Sequence, residues 1–132
     1  MYKMILTLIF SLFFGLLSAP PSTSVVIFAS EGICPYEPLI RAVVMVESNN
    51  GKYLFNPDEN AVGYFQVREV RVKDYNKRMG TDYVLSDFYD YELSRRMFLH
   101  YCQGRSFESV AKSWNGSGPK VQDYWLKVQQ HL

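Results

Sequence analysis

The sequence contains only two cysteines, Cys34 and Cys102, and only two histidines, His100 and His131. It has no Cys-x-x-Cys pair and so few imidazoles that the usual ligands of a zinc site are missing, and we predict no metal and no cofactor. His100 falls on the polar flank of a predicted helix, and His131 is next to the last residue. This placement does not favour nucleophilic catalysis by a Ser–His or Cys–His pair.

An excess of charge of one sign is also lacking. Lys and Arg number 14 and Asp and Glu 13, so the formal net charge is +1, and the basic residues form no run. Binding to nucleic acid therefore has no electrostatic support, and neither has attraction to an anionic polymer by bulk charge. The sequence shows no internal repeat, low-complexity tract or phosphate-binding loop. A ligand must be recognised by a local site.

The first 30 residues have the pattern of a signal peptide. Lys3 provides the positive start, Met4 to Leu17 are almost all apolar, and small residues before Pro20 allow cleavage after Ala19. Cleavage near Ala29 is the alternative, because a second apolar stretch precedes it. The first apolar run is short for a membrane span, which favours secretion over a membrane anchor. We therefore expect a secreted or periplasmic protein with no stable membrane partner after cleavage.

The remaining chain, residues 34–132, is predicted to be one small domain of five helices, from apolar spacing and helix-boundary residues. The predicted helices run from Pro35 or Pro38 to Asn49, from Val67 to Met79, from Ser86 or Asp87 to Gln103, from Ser106 to Gly116, and over Val121–Val128. Residues 52–66 have little helical period, which predicts an irregular segment with a short hairpin. The expected fold class is mainly α, with one short irregular or β segment after the first helix.

Cys34 and Cys102 fall at the start of this domain and in its third predicted helix. In an oxidising compartment they would either pair as a disulfide or remain as two separate buried thiols. Export supports the pairing, and burial of free cysteine in helical cores supports the alternative.

Glu47 is the residue whose position points to chemistry. It follows Ile40 by seven positions and Val43 by four, so it lies on or beside the apolar face of the first helix, near its C-terminal end. Apolar surroundings and the negative end of the helix dipole both raise the pKa of a carboxyl group. An acid that keeps its proton near neutral pH can protonate a glycosidic oxygen. The alternative is a helix-end glutamate that reaches solvent.

Four motifs follow the same order as in a known family. They are Glu47-Ser48, Gly63-Tyr64-Phe65-Gln66, Ala111-Lys112-Ser113-Trp114-Asn115-Gly116, and Tyr124-Trp125-Leu126-Lys127-Val128. This set resembles the soluble lytic transglycosylase domain, of lysozyme-like fold, over residues 36–129, and is similar to invertebrate-type lysozymes as well. Both families cleave the bond between N-acetylmuramic acid and N-acetylglucosamine. The resemblance implies a monomer that acts on peptidoglycan strands.

The resemblance also implies roles for single residues. Glu47 would be the catalytic acid and then the base. The residues implied in substrate binding are Ser48, Gly63, Gln66, Trp114, Asn115 and Tyr124. Ser48 would hydrogen-bond near the acid, Gly63 would let a sugar approach the backbone, and Gln66 would bind substrate or fix the loop. Each also has an ordinary structural explanation, such as a helix end, a turn or core packing.

Two points leave the chemistry open. The family usually has a tyrosine where Trp114 stands, and an indole can only donate a hydrogen bond; Trp114 would either stack on a sugar or fill the core. Lytic transglycosylases use one glutamate, whereas a hydrolytic lysozyme needs a second carboxylate, for which Asp58 and Glu59 are the candidates. The low cysteine count favours the transglycosylase. A lysozyme-like module that binds glycan without cutting it is the non-enzymatic alternative.

Overall fold

The computed structural model describes residues 32–132. It contains five α-helices and a three-stranded antiparallel sheet, so the predicted mainly α class with a small β segment after the first helix is confirmed. The helices are α1 (Glu37–Ser48), α2 (Glu69–Met79), α3 (Tyr91–Cys102), α4 (Phe107–Asn115) and α5 (Val121–Gln129). The predicted signal peptide, with cleavage after Ala19 or near Ala29, lies outside the described residues. In residues 32–132 the helices are too short or too polar to span a bilayer.

Helix α1 contributes many of the buried residues of the hydrophobic core. Pro38 stands in its first turn, where a missing N–H costs nothing, and Asn49 ends it in the left-handed conformation, with φ of 50°. Leu39, Ile40 and Val43 are completely buried on its inner face. Burying three such side chains contributes about 1.5–3 kcal/mol each to folding. This packing fixes the last turn of the helix, which carries Glu47.

The sheet consists of three two-residue strands, β1 (Phe55–Asn56), β2 (Ala61–Val62) and β3 (Val67–Arg68), in the order β1-β2-β3. Ala61 pairs with Asn56 on one side and with Arg68 on the other. The prediction of a helix from Val67 is therefore wrong for its first two residues, since the backbone of β3 hydrogen-bonds to β2 before α2 begins at Glu69.

The predicted helix start at Ser86 or Asp87 is also wrong. Residues Leu85–Tyr89 form a short 3-10 helix, η1, because the Asp87 carboxylate accepts a hydrogen bond from the Val84 N–H at 2.9 Å and closes the turn. Helix α3 begins after Asp90, whose side chain accepts from the Leu93 N–H at 2.7 Å. Such N-caps stabilise a helix by about 1 kcal/mol.

Helices α4 and α5 complete the domain. Ser106 caps α4 by accepting from the Ser109 N–H at 3.2 Å, as its position predicted. On α5 the side chains of Tyr124, Trp125 and Val128 are buried, which confirms the apolar spacing. Helix α5 packs against both α4 and α1. This contact brings a residue near the end of the chain to the last turn of α1.

In the structure Cys34 and Cys102 are free thiols, and only Cys102 is buried, whereas Cys34 is partly exposed. Burial, and then the neighbouring Cys34, raises the pKa of Cys102 to about 12. Its thiol is fully buried and stays protonated at neutral pH. A protonated thiol is a poor nucleophile, so the Cys102 thiol has low reactivity in the folded protein.

Candidate active site

Glu47 and Tyr124 form a close polar pair between α1 and α5. The Tyr124 hydroxyl donates a hydrogen bond to Glu47 Oε1 at 2.6 Å, although the two residues are 77 positions apart. The pKa of Tyr124 is raised well above its ordinary value, first by burial and then by the nearby Glu47, so the phenol keeps its proton. Among the described residues Glu47 Oε2 has no such partner. Oε2 is therefore the oxygen that can hold a transferable proton.

The environment of Glu47 raises its proton affinity. Burial raises the pKa of its carboxyl from 4.5 to about 7, and the negative charge of Glu59 acts in the same direction. The Tyr124 hydrogen bond and the positive charge of Arg68 lower the pKa and offset part of this rise. The residue as a whole is only partly buried, since one side faces an open cleft while protein surrounds the carboxyl. A large part of the Glu47 population is thus protonated near neutral pH.

The raised pKa has a consequence for stability. The unfolded chain ionises Glu47 as the pH rises through about 4.5, whereas the folded protein does so only near pH 7. The contribution of protonated Glu47 to the free energy of unfolding is therefore lost as the pH rises from about 4.5 to about 7. We expect Glu47→Gln to match the wild type at about pH 4 and to be more stable by about 2 to 3 kcal/mol at about pH 8. Urea unfolding at both pH values measures this difference.

The control for that measurement is Glu92→Gln, which makes the same change of charge at an exposed residue. It corrects for the effect of net charge on unfolding. A Glu47→Gln variant that gained no more stability at the higher pH than this control would show that the carboxyl ionises as freely in the folded state as in the unfolded one.

The open cleft beside Glu47 has a volume of about 820 Å³. Its walls come from the end of α1, from the β1–β2 turn, from the loop after α4 and from α5. The residues that line it are Val46, Glu47, Asn56, Glu59, Asn115, Ser117, Pro119, Lys120, Asp123, Tyr124 and Lys127. A cleft of this volume is large enough for a ligand of several sugar units or of drug size. Most of these lining residues are polar or charged.

Ser48 stands next to the acid in sequence but faces the protein interior. It is 1% exposed, and its hydroxyl lies 2.9 Å from the Tyr64 carbonyl and 3.1 Å from the Val44 carbonyl while accepting from the Gly51 N–H at 3.0 Å. These partners occupy its hydrogen-bonding capacity. The predicted contact of Ser48 with substrate is therefore wrong: Ser48 holds the end of α1 against the loop that connects β2 and β3.

Gly63 and Gln66 shape that same loop. The Gly63 backbone has a φ of 77°, and a Cβ built there would lie 2.1 Å from the Phe88 carbonyl oxygen of η1. The requirement for glycine comes from this close approach and not from a passing sugar, which corrects the predicted role. The Gln66 amide donates to the Gly63 carbonyl at 2.9 Å and to the Tyr53 carbonyl at 3.2 Å. Of the two roles predicted for Gln66, the structure shows the fixing of the loop.

Trp114 lies in the core and does not line the cleft. It is 5% exposed, its ring packs edge-to-face against Phe65 and Phe98, and its indole N–H donates to the Phe65 carbonyl at 3.0 Å. The predicted sugar stacking is wrong, whereas its alternative, core filling, agrees with the helical spacing. Tyr124 supplies the phenol beside the acid.

Asn115 lines the cleft at the end of α4, and two arginines that the sequence reasoning did not single out hold this helix end. Arg68 Nη2 donates to the Asn115 carbonyl at 2.8 Å. Arg71 Nη2 donates to the Ser113 and Trp114 carbonyls at 3.0 and 3.1 Å. Cations near the last carbonyls of a helix stabilise its negative end. No sequence signal marks these contacts, because they join residues more than 40 positions apart.

The two candidates for a second carboxylate occupy different places. Glu59 lines the cleft, and its Oε2 lies 3.9 Å from Arg68 Nη1. Asp58 is exposed, and its backbone N–H donates to the Asn56 side chain at 3.0 Å in a tight turn. Asp58 does not line the cleft beside Glu47. If a second acid acts in this cleft, the geometry favours Glu59.

Comparison of this chain with protein-family models, curated proteins and solved structures found no match. Within residues 32–132, no three His, Cys, Asp or Glu side chains are placed to hold a metal ion.

Proposed function

We propose that this protein is an exported glycosidase that cleaves the β-1,4 bond between N-acetylmuramic acid and N-acetylglucosamine in peptidoglycan. The observation that supports it most is Glu47 itself, which lines a cleft of about 820 Å³ and whose carboxyl has a pKa of about 7 and accepts a hydrogen bond from the Tyr124 hydroxyl. A general acid works best when its pKa is close to the working pH. The order of the sequence motifs agrees with such an enzyme.

In the proposed reaction Glu47 Oε2 gives its proton to the glycosidic oxygen as the bond from that oxygen to the muramic acid C1 breaks. Positive charge then develops on the sugar ring. The Tyr124 hydroxyl remains hydrogen-bonded to Oε1 and stabilises the carboxylate that forms. In the lytic transglycosylase version, the substrate's acetamido group supports C1. Glu47 then removes a proton from the sugar's 6-hydroxyl, whose oxygen closes on C1 to give a 1,6-anhydro product.

A hydrolytic reaction is the second candidate, and the position of Glu59 favours it. Glu59 lines the same cleft and is close enough for its charge to raise the pKa of Glu47. A carboxylate so placed would either activate a water molecule or attack C1. We keep the transglycosylase as the main proposal, since Glu59 is exposed and paired at 3.9 Å with Arg68, which weakens it as a base or nucleophile.

The masses of the products distinguish these reactions. Purified peptidoglycan is digested with the protein, and the soluble fragments are separated and weighed. We expect fragments that are lighter by one water than the hydrolysis products and have no reducing end. Fragments with reducing ends, lost on Glu59→Gln, would support the hydrolase and contradict the transglycosylase.

A protein that binds glycan without cutting it would release no fragments yet would still sediment with insoluble peptidoglycan. That pair of results would overturn the enzymatic proposal and support the binding module.

A further inference from the structure

Arg68 connects three parts of the cleft. It is the last residue of β3, and its guanidinium reaches the Asn115 carbonyl at the end of α4 through Nη2, at 2.8 Å. Its other terminal nitrogen, Nη1, lies 3.9 Å from Glu59 Oε2 on the β1–β2 turn. Its charge also acts on Glu47. One side chain thus contacts two cleft-lining segments and influences the acid on a third.

The surroundings of Arg68 keep this arrangement in place. The side chain is about one-third exposed, at 35%, so it is held more firmly than a free surface arginine. Gly116 follows Asn115 with a φ of 131°, and a Cβ there would lie 3.6 Å from Arg68 Nη2. The planar guanidinium donates a hydrogen bond through Nη2 while Nη1 stays near the Glu59 carboxylate, an arrangement that a lysine ammonium on a flexible stem reproduces less well. Position 68 therefore requires both the positive charge and the planar shape of an arginine side chain.

We propose that Arg68 is a positioning residue of the cleft, which holds the Asn115 backbone in place and supplies the positive charge that balances Glu59 beside Glu47. This inference rests on the proposed glycosidase function for its catalytic meaning. Its geometry, however, does not depend on which of the two reactions takes place.

The charges around Glu47 connect the two parts of the proposed role of Arg68, which are positioning of the cleft and balancing of the Glu59 charge. Glu59 raises the pKa of Glu47 and Arg68 lowers it, while Tyr124 donates the hydrogen bond from α5. The other charged side chains of the cleft, Lys120, Asp123 and Lys127, also lie on α5 or at its start. Removing Arg68 alone leaves Glu59 without its counter-charge. The pH at which Glu47 loses its proton must then rise.

The test measures the titration of Glu47 directly, without relying on activity. Side-chain carboxyl carbons are labelled, and the Glu47 signal is identified by its loss in Glu47→Gln. We expect Arg68→Gln to raise the pH at which Glu47 titrates and Glu59→Gln to lower it. The double variant should return towards the wild type, and Arg68→Lys, which keeps the charge, should stay close to it. Arg96→Gln, at an exposed arginine of α3, is the matched control.

Cleavage rates add the second readout. We expect the alkaline limb of the pH–activity profile to follow the titration of Glu47 in every variant. Arg68→Lys should keep the alkaline limb of the wild-type profile. Its kcat/KM should nevertheless fall about tenfold, because the Asn115 segment is no longer held in position. Thermal unfolding of each variant verifies that it is folded.

An unchanged Glu47 titration in folded Arg68→Gln would overturn the proposal, and so would full activity in both Arg68 variants. Failure of the wild type to cleave peptidoglycan would instead overturn the proposed function. In that case the titrations would still decide whether Arg68 balances Glu59 beside Glu47.

Discussion

Glu47→Gln is expected to lower the rate of peptidoglycan cleavage by about 10²- to 10⁴-fold and to leave glycan binding unchanged. A glutamine side chain has the shape of glutamate, and its carbonyl oxygen can still accept the Tyr124 hydrogen bond, which is 2.6 Å long in the wild type. It has no acidic proton to give to the leaving oxygen. The substitution therefore removes the chemistry but not the cleft.

Cleavage is measured as release of soluble fragments, and binding as co-sedimentation with insoluble peptidoglycan. Because Glu47→Gln should be at least as stable as the wild type at neutral and higher pH, unfolding cannot account for a loss of activity. Glu92→Gln, at an exposed position, should behave as the wild type in both assays. Wild-type cleavage by the Glu47→Gln protein would exclude Glu47 as the acid.

Gly63→Ala is expected to destabilise the protein by about 3 kcal/mol or more, the largest stability effect that we predict for one methyl group. The new Cβ would lie 2.1 Å from the Phe88 carbonyl oxygen, a distance that atoms cannot adopt, and the φ of 77° would itself be strained. The Phe88 carbonyl also accepts a hydrogen bond from buried Ser94 at 2.8 Å, so η1 cannot move without losing that contact.

The matched control is Gly80→Ala. Gly80 has a similar φ of 67°, but a Cβ there would meet no atom within 4 Å. This variant should be destabilised only by the strain of a left-handed backbone at alanine, about 1 kcal/mol. The difference between the two midpoints of urea unfolding isolates the steric clash. Equal destabilisation of the two variants would mean that η1 moves away from the new methyl group at little cost and that Gly63 is an ordinary turn residue.

The helices could be predicted well where apolar spacing and boundary residues agree. Ser106 as the cap of α4 and the buried stripe of α5 follow from local pattern alone. The prediction failed where tertiary contacts decide between two local options. The strand at Val67–Arg68 forms because β2 is available as a partner, and η1 replaces a helical turn because the Asp87 side chain bonds back to the Val84 N–H.

Only part of the candidate site could be read from the sequence. The position of Glu47 on an apolar helix face suffices to predict a raised pKa, and the spacing of α5 brings Tyr124 inward. Trp114 and Ser48 were misassigned by the family resemblance, because a motif position does not show which face of a helix or loop a side chain occupies. Arg68 could not be found, since its partner Asn115 lies 47 positions away and the contact exists only in the folded chain.

The Glu47–Tyr124 contact joins the first helix of the domain to its last one. Before these two helices meet, Glu47 is an ordinary solvated carboxylate, ionised at neutral pH, and the cleft has lost one of its walls. Closing a loop of this length is a slow, non-local event in folding. In the proposed enzyme, catalytic competence would thus arise only when the whole domain has assembled, so that a partly synthesised or partly folded chain could not cleave peptidoglycan.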